Sequence, residues 1–335
     1  MILLLWLSIL FIAYIYFFSE WFFSELAISF VPYIIWYCII AIILETFLIL
    51  RKNRKREKNK PIRILFLVAA LIATIWIWTL YWSEYFWFYN NEDNSIRLEN
   101  NQEWIKVFYS NILYKNTDYK SLQEKIEKED PDIVILVEFS DEHEYEMKEF
   151  FRENYPYMNR NSWSTMLAGD VVFSKIPLDN ITETHIVPAW SWNYSYIRIL
   201  CDNVIENCED WVDLYVIHTA APVSLKNFEM RNDQLNKLKS DFDKNQDTTL
   251  PIMIIWDFNL SPWSYYYSQL THNWNMMNAL SFQAPTYTRT LLQQWIFRSH
   301  IDQLFFSQRI KISEITVENL KWSDHRSFTF YFWVK

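Results

Sequence analysis

The chain has 335 residues, enough for one large domain with a membrane segment or for two ordinary domains. Its formal net charge is −9, and the acidic excess lies after residue 82, where 36 acidic residues accompany 23 basic ones. A surface of that charge repels polyanions, so tight nonspecific binding of nucleic acid is not favoured, although a local groove could still bind it.

Three uncharged apolar runs occupy positions 1–18, 26–44 and 64–82. Each is about long enough to cross the roughly 30 Å hydrocarbon core of a bilayer as a helix. None has the polar face that a helix of a soluble protein needs. The first run also lacks a basic leader and a small-residue cleavage site, which argues against a cleaved signal peptide. The sequence therefore predicts a membrane anchor of three transmembrane helices over residues 1–82.

The orientation of this anchor follows from its loops. The loop RKNRKREKNK, residues 51–60, is rich in Lys and Arg, and such clusters remain on the cytoplasmic side. The loop at residues 19–25 carries two Glu and no basic residue. We expect a multi-pass protein of the cell membrane, with its N-terminus inside and everything after residue 82 outside the cytoplasm.

Residues 83–103 are polar and aromatic and are predicted to form a linker, after which strand-like and helix-like stretches alternate over residues 104–335. Seven stretches have the pattern of strands: WIKVFYSNIL, DIVILVEF, DVVFSKIPL, YSYIRIL, VDLYVIHTA, LPIMIIWDF and the C-terminal run. Two are typical of charged helices: SLQEKIEKED and FEMRNDQLNKLKSDFDKN. This order predicts an α/β domain built on sheets that helices cover.

Polar residues stand at the ends of the apolar strands: Glu138, His218, Asp257, Asn259, Asp302, Asp324 and His325. Loops at strand ends hold catalytic groups on a rigid scaffold. Carboxylate and amide oxygens suit a hard cation such as Mg²⁺, and two His beside carboxylates can move protons near neutral pH. A single Asp at a strand end is more often a turn former or a helix cap, and a single His is usually structural. The order and spacing of the whole set carry the prediction.

In order and spacing, the domain resembles the endonuclease/exonuclease/phosphatase superfamily, which has the DNase I-like fold, over roughly residues 104–335. Seven motifs carry the resemblance: SNILYKN, PDIVILVE, DVVFSKIPL, VIHTAAP, WDFNLSPWS, HIDQLFFS and KWSDHRSF. Membrane-tethered members form a subgroup that the first 82 residues resemble. The resemblance implies a four-layer sandwich, in which two mixed β-sheets lie face to face with helices outside, and a site at one end of it.

The resemblance also implies a divalent cation, Mg²⁺ or Mn²⁺. Glu138 would bind it, with Asn111 and Asp324 close by. The ion would withdraw charge from a phosphate oxygen and stabilise the pentavalent transition state.

Five further residues receive roles from the resemblance. His325, oriented by Asp302, would activate or position the attacking water, and Asp257 would orient the water or the metal. Asn259 would hydrogen-bond the phosphoryl oxygens, and His218 would stabilise or protonate the leaving group. Which His is the base and which the acid stays open.

Three functions are compatible with these residues. The first is hydrolysis of a phosphodiester or phosphomonoester in a small molecule or lipid headgroup, which the membrane anchor and the acidic surface favour. The second is a surface endo- or exonuclease. The third is a catalytically inactive binding module tethered to the lipid bilayer, against which the complete set of polar residues argues. The oligomeric state is not readable from the sequence.

One feature of the composition is abnormal, because the chain has one Gly and 18 Trp, whereas Gly normally makes up about 7% of residues. Trp256 and Trp322 stand where the family motifs have Gly, and His300 replaces the usual Arg before Asp302. Some genetic codes read UGA as Gly and others as Trp. Translation with the wrong code would place Trp at Gly positions, and the alternative is a genuinely aromatic-rich protein.

Two of the three Cys, Cys201 and Cys208, bracket a six-residue loop between two predicted strands. A hairpin would bring their Cα atoms within the roughly 4.4–6.8 Å that a disulfide requires. Outside the cytoplasm such a pair can oxidise.

Overall fold

The computed structural model of the chain describes residues 2–51, 60–86, 104–159, 169–185, 193–200, 211–244, 250–271, 276–282, 287–290, 298–321 and 323–334. The chain divides into two compact units. The first comprises Met1–Tyr89 and Ser261–Ser268, and the second comprises Asn90–Leu260 and Gln269–Lys335. Cys201, Cys208 and Trp322 lie outside the described residues.

The first unit contains four apolar helices: α1 (Ile2–Phe17), α2 (Phe22–Ile28), α3 (Val31–Arg51) and α4 (Lys60–Phe86). Two segments are long and apolar enough to cross a membrane, Val31–Arg51 and Pro61–Thr79. Helices α1 and α2 count as a third span only if the pair, which bends by 119°, is taken as one. The described part of the chain therefore has two candidate spans, or three, where the sequence predicted three.

The second predicted span, residues 26–44, is displaced in the structure. Its first residues belong to α2, and the chain turns at Ser29 before α3 begins at Val31. Pro32 explains the break, since proline lacks an N–H and is tolerated only in the first turn of a helix. The helix then continues beyond the apolar run to Arg51.

Two buried carboxylates of the first unit, Glu45 and Glu25, have polar partners. The Arg63 guanidinium forms an ion pair with Glu45, which is 4% exposed. The Ser264 hydroxyl donates to a Glu25 carboxylate oxygen at 2.8 Å, and Trp263 packs on the buried apolar cluster of the helices. Partners of this kind are what buried charges in an apolar bundle require.

The second unit is built on two six-stranded mixed sheets. The first has the order β13–β14–β1–β2–β4–β3, with strands β13 (Ile310–Asn319), β14 (Arg326–Val334), β1 (Ile105–Asn111), β2 (Ile133–Phe139), β4 (Gly169–Ser174) and β3 (Tyr157–Met158). The second has the order β5–β6–β7–β8–β12–β9, with strands β5 (Leu178–His185), β6 (Asn193–Leu200), β7 (Trp211–His218), β8 (Ile252–Asp257), β12 (Asp302–Ser307) and β9 (Met276–Asn278). A small ribbon pairs β10 (Arg289–Thr290) with β11 (Arg298–Ser299).

Helices cover these sheets. They are α5 (Tyr119–Glu129), α6 (Asp141–Asn154) and α7 (Leu225–Lys244). Helix α8 (Tyr265–Thr271) lies between β8 and β9 in the chain, and a 3₁₀ turn at Ala279–Phe282 follows β9. On the outer face of the first sheet, the rings of Phe151 in α6 and Phe173 in β4 stack with centroids 3.7 Å apart. Gln234 of α7 accepts a hydrogen bond from the N–H of Ala220, just beyond β7.

The inner faces of both sheets share one apolar core. Alternate residues along each strand supply it, including Val107, Ile135, Val216, Ile255 and Phe330, none more than 1% exposed. This period-two pattern is the one that predicted the strands. The predicted fold class, two mixed β-sheets face to face with helices outside, is confirmed. Strands β6 and β7, which flank residues 201–210, pair antiparallel.

Candidate active site

Strand ends from both sheets meet at one edge of the sandwich. Asn111 ends β1, His218 ends β7, Asp257 ends β8, and Asp302 begins the antiparallel strand β12. The register pairs Asp257 with both His218 and Asp302. Because side chains alternate along a strand, each of these residues continues the row that faces the core, and all four are buried.

Glu138 reaches the same edge through an irregularity in β2. The preceding residue, Val137, faces the inner core, so a regular strand would turn Glu138 toward the outer face. Instead the backbone of Glu138 has φ 61°, and the register with β4 shifts after Leu136. A left-handed φ at a non-glycine residue costs on the order of 1 kcal/mol. Such strain is common where a side chain must be aimed at a functional site.

Asn111 links two of the carboxylates. Its Nδ2 donates to Glu138 Oε1 at 3.1 Å and to Asp257 Oδ2 at 3.0 Å. The N–H of Tyr114 donates to Glu138 Oε2 at 3.0 Å. Burial raises the pKa of Glu138, but His218 and these two donors outweigh it and hold the pKa below its usual value. Glu138 is therefore a carboxylate at neutral pH.

A second group is centred on His325. Its Nδ1 lies 2.9 Å from Asp302 Oδ2, and its Nε2 lies 3.5 Å from Asp257 Oδ2. Burial lowers the pKa of His325, but Asp302 and Asp257 outweigh it and raise the pKa to about 9. The Tyr109 hydroxyl donates to the other Asp302 oxygen at 3.0 Å. Asp302 thus fixes the ring of His325 from one side and leaves Nε2 directed toward Asp257.

Burial is the main cause of the shifted pKa values of Asp257 and His218. Burial raises the pKa of Asp257 to about 7, in spite of the attraction of His325. Burial also lowers the pKa of His218 to about 4, so this ring is neutral at pH 7. His218 Nε2 lies 3.7 Å from Glu138 Oε1 and 3.8 Å from Asp257 Oδ2. At pH 7 His325 is therefore protonated and His218 is neutral.

Asn259 is held in a left-handed turn with φ 50°, a conformation that Asn tolerates better than most residues. Its N–H donates to Asp257 Oδ1 and its Nδ2 to the carbonyl of Thr219, both at 3.0 Å. These bonds fix its amide beside Asp257.

Arg289 is a site residue that the sequence did not reveal. Its Nε donates to Asp324 Oδ2 at 2.8 Å, and one terminal nitrogen donates to Asn259 Oδ1 at 3.4 Å. It lies on a two-residue strand in a stretch without periodic pattern, so no motif marks it. Thr288, equally unmarked, accepts from the backbone N–H of Ile301 and of Asp302 at 3.0 Å.

The donor set fits a hard divalent cation. Asp324 Oδ1 is buried and accepts no hydrogen bond from any residue in the described part of the chain. Such an orphaned oxygen has a clear use as a metal ligand. Asp257, Asp302 and His325 can also each offer one ligand atom, and these three atoms lie within 4.8 Å of one another. However, His325 and Asp302 are already bonded to each other, so we regard that pair as a proton-handling unit.

Solved structures with the same fold support the architecture alone, because their sequences are distant. The catalytic region is similar to D. rerio TDP2 complexed with a single-strand DNA product, with a TM-score of 0.54 and 13% identity over 68% of this chain and 98% of that chain. An endonuclease/exonuclease/phosphatase from Beutenbergia cavernae has a TM-score of 0.54 and 14% identity over 69% and 72% of the two chains. A mannosyl-6-phosphatase from Bacteroides thetaiotaomicron has a TM-score of 0.50 and 13% identity over 68% and 99%.

No curated protein matches the chain. The model of the Endonuclease/Exonuclease/phosphatase family matches residues 108–325, which is more than half of the chain and includes every predicted site residue. Members of this family are hydrolases that act on phosphoester bonds. The chain therefore belongs to the endonuclease/exonuclease/phosphatase family.

Proposed function

We propose that the chain is a membrane-anchored, metal-dependent phosphoesterase that hydrolyses a phosphodiester or phosphomonoester of a small molecule or lipid headgroup outside the cytoplasm. One observation carries the proposal: the eight predicted site residues, which come from six separate places in the sequence, lie at one edge of the sandwich. Hydrogen bonds and charge contacts of 3.5–3.8 Å link them, chiefly through Asn111, Asp257 and Asp302.

Glu138 and Asp324 are the proposed ligands of Mg²⁺ or Mn²⁺, with Asn111 beside them. Glu138 is anionic, and Asp324 has one oxygen that is engaged with Arg289 and one that is orphaned. When bound, the cation would withdraw charge from a phosphoryl oxygen. Asn111, by donating to both Glu138 and Asp257, keeps these two carboxylates at a fixed separation in spite of their repulsion.

His325 is the proposed group that positions the attacking water, with Asp302 fixing the orientation of its ring and Asp257 facing its Nε2. His218, neutral at pH 7, would hydrogen-bond the leaving oxygen, and Asn259 would donate to the phosphoryl group. In the balanced reaction, a water oxygen bonds to phosphorus and gives up one proton, the bond to the leaving oxygen breaks, and the departing alkoxide takes up one proton.

The membrane location rests on the apolar helices and the basic loop. Helices α3 and α4 contain the two candidate spans, and residues 51–60 between them carry the Lys and Arg cluster expected inside the cell. We propose that this chain is a multi-pass protein of the cell membrane, with the catalytic domain on the extracytoplasmic side and in reach of lipid headgroups.

A nuclease is the second candidate, favoured by the shared fold with a TDP2 structure that holds a single-strand DNA product. The acidic balance of the residues after position 82 disfavours it. A nuclease would bind DNA with strong dependence on salt, whereas hydrolysis of a small phosphoester would depend on salt only weakly.

The test is a panel of DNA, RNA, phospholipids, inositol phosphates and generic phosphoesters, incubated with the purified full-length protein and Mg²⁺ or Mn²⁺. We expect turnover of small or lipid phosphoesters that excess DNA does not inhibit. Preferential turnover of DNA would establish the nuclease. No turnover of any substrate with either metal would leave the inactive binding module.

A further inference from the structure

Arg289 is held rigidly beside the predicted catalytic groups. Its backbone bridges to His325 on one side and pairs with Ser299 of β11 on the other. The N–H of Thr290 donates to the carbonyl of Asp324 at 2.7 Å, which anchors the same short strand. The guanidinium is therefore built into the site by its backbone as well as by its side chain.

The guanidinium of Arg289 has donors to spare. It offers five N–H groups in a planar fork, and the described residues engage its Nε, through Asp324, and one terminal nitrogen, through Asn259. The side chain is 28% exposed, so the remaining donors have access to a molecule that enters the site. The bond to Asn259 Oδ1 also orients that amide with its NH₂ end toward Thr219.

We infer that Arg289 binds the phosphoryl group of the substrate and directs the enzyme toward phosphomonoesters. This inference rests on the proposed function and narrows it. A monoester carries a dianionic group with three non-bridging oxygens, whereas a diester is a monoanion with two. The cation and the Asn259 amide can each take one oxygen, and Arg289 supplies donors for the third. A permanently charged, planar fork is the side chain best suited to phosphate.

The test separates phosphate binding from turnover. Inorganic phosphate, which is the second product of monoester hydrolysis, is titrated calorimetrically into the full-length protein with Mg²⁺. Turnover is measured with p-nitrophenyl phosphate as the monoester and bis(p-nitrophenyl) phosphate as the diester. Arg289→Gln is compared with Arg298→Gln, a control on the paired strand whose exposed side chain lies over the ring of Tyr287.

We expect Arg289→Gln to weaken phosphate binding about 10- to 100-fold, the usual effect of losing a charge-assisted hydrogen bond. The ratio of monoester to diester kcat/KM should fall about tenfold, and Arg298→Gln should change neither quantity. If Arg289→Gln fails to fold, Arg289→Lys keeps the charge beside Asp324 but loses the fork, and the same ratio should fall. Unchanged phosphate binding, or equal losses on both substrates, would overturn the inference. Phosphate binding that needs Arg289 without any turnover would instead overturn the proposed function.

A second, independent observation concerns position 256. Trp256 lies on the outer face of β8, and Phe258 follows just beyond the end of this strand. Both side chains are fully buried. Their rings overlap more closely than van der Waals contact permits. The ring of Phe305, from the neighbouring strand β12, closes the same space with its centroid 5.4 Å from that of Trp256.

We infer that the natural residue at position 256 is glycine, encoded by UGA in an organism that reads this codon as Gly. The steric conflict at this position and the ratio of one Gly to 18 Trp in the chain point to the same exchange. With glycine, Phe258 and Phe305 fill the space between them, and β8 keeps its register with β7 and β12.

Sequencing the gene and the native protein tests this inference. We expect codon 256 to be UGA, and the peptide that spans Met253 to Leu260, isolated from the native organism, to have the mass of the glycine form. A UGG codon, or a native peptide with the mass of the tryptophan form, would overturn it.

Discussion

Replacement of Trp256 by glycine should cost the recombinant protein less stability than the deletion of a buried ring usually does. Removing a fully buried aromatic side chain ordinarily costs about 3–5 kcal/mol. Here the indole overlaps Phe258, and overpacking of a core costs typically about 1–3 kcal/mol. Relief of that overlap should offset part of the usual cost, so the loss in the free energy of unfolding should be about 1–3 kcal/mol smaller than for an unstrained buried ring. For a domain of this size, each kcal/mol corresponds to about 2–4 °C in Tm.

The assay is thermal unfolding, followed by circular dichroism, of Trp256→Gly and of the chain with tryptophan at that position. Phe305→Ala is the matched control, because Phe305 is equally buried and lies against the same ring. The control should lose about 3–5 kcal/mol. A Tm of Trp256→Gly that falls as far as that of Phe305→Ala would refute the steric argument.

The remaining predictions concern pH, catalysis, oxidation and topology. Burial lowers the pKa of His143 to about 4 from 6.5, so stability is full above about pH 6.5 and falls by about 3 kcal/mol as the pH drops toward 4. The variant His143→Gln retains an acceptor for the helix cap. In denaturant titrations at several pH values, its free energy of unfolding should fall less between pH 6.5 and 4 than that of the wild type. An equal fall contradicts this. Asp302→Asn should lower kcat about 100-fold or more with little change in KM, as expected for a group that fixes a catalytic imidazole; a wild-type kcat removes that role. Intact mass with and without reductant should reveal a two-proton difference for a Cys201–Cys208 disulfide, and no difference means no bridge. A reporter fused after residue 57 should read cytoplasmic and one at the C-terminus external, and identical readings would reject the topology.

The strands were predictable because their periodicity is local. DIVILVEF, VDLYVIHTA and LPIMIIWDF alternate or run apolar over their whole length, and each forms a strand of the predicted core. Helix α6 was not predicted, because acidic residues dominate DEHEYEMKEFF and conceal its apolar face. That face nevertheless follows helical spacing through His143, Met147, Phe150 and Phe151.

The sequence predicted which residues form the site, and the structure shows how these residues contact one another. Motif order identified Asp257, Asp302 and His325, but only the register of β8 and β12 shows that one His faces two carboxylates. The left-handed φ of Glu138 could not be predicted, since nothing local in a β-branched run indicates it. Arg289 was missed because its role depends on contacts with residues far away in the chain.

The start of α3 follows the position of Pro32 and not the start of the apolar run. Hydropathy alone joined residues 26–44 into one span, whereas the restriction of proline to the first helical turn moves the start of α3 to Val31. Hydropathy placed the end of the first helix within one residue of Phe17, but it gave no indication that the chain then bends by 119°.

The variant Asp257→Ala is the most direct test of metal-dependent hydrolysis at the site where the strand ends meet. Asp257 contacts Asn111, His325 and Asn259, so its loss removes the centre of the network. The measurement is phosphoester turnover by purified full-length protein as Mg²⁺ or Mn²⁺ is titrated, for the wild type and the variant. We expect the wild type to need the cation and to lose activity in chelator, and the variant to fall at least about 100-fold at saturating metal. Turnover at the wild-type rate in Asp257→Ala, or wild-type turnover that persists in excess chelator, would contradict the proposed mechanism.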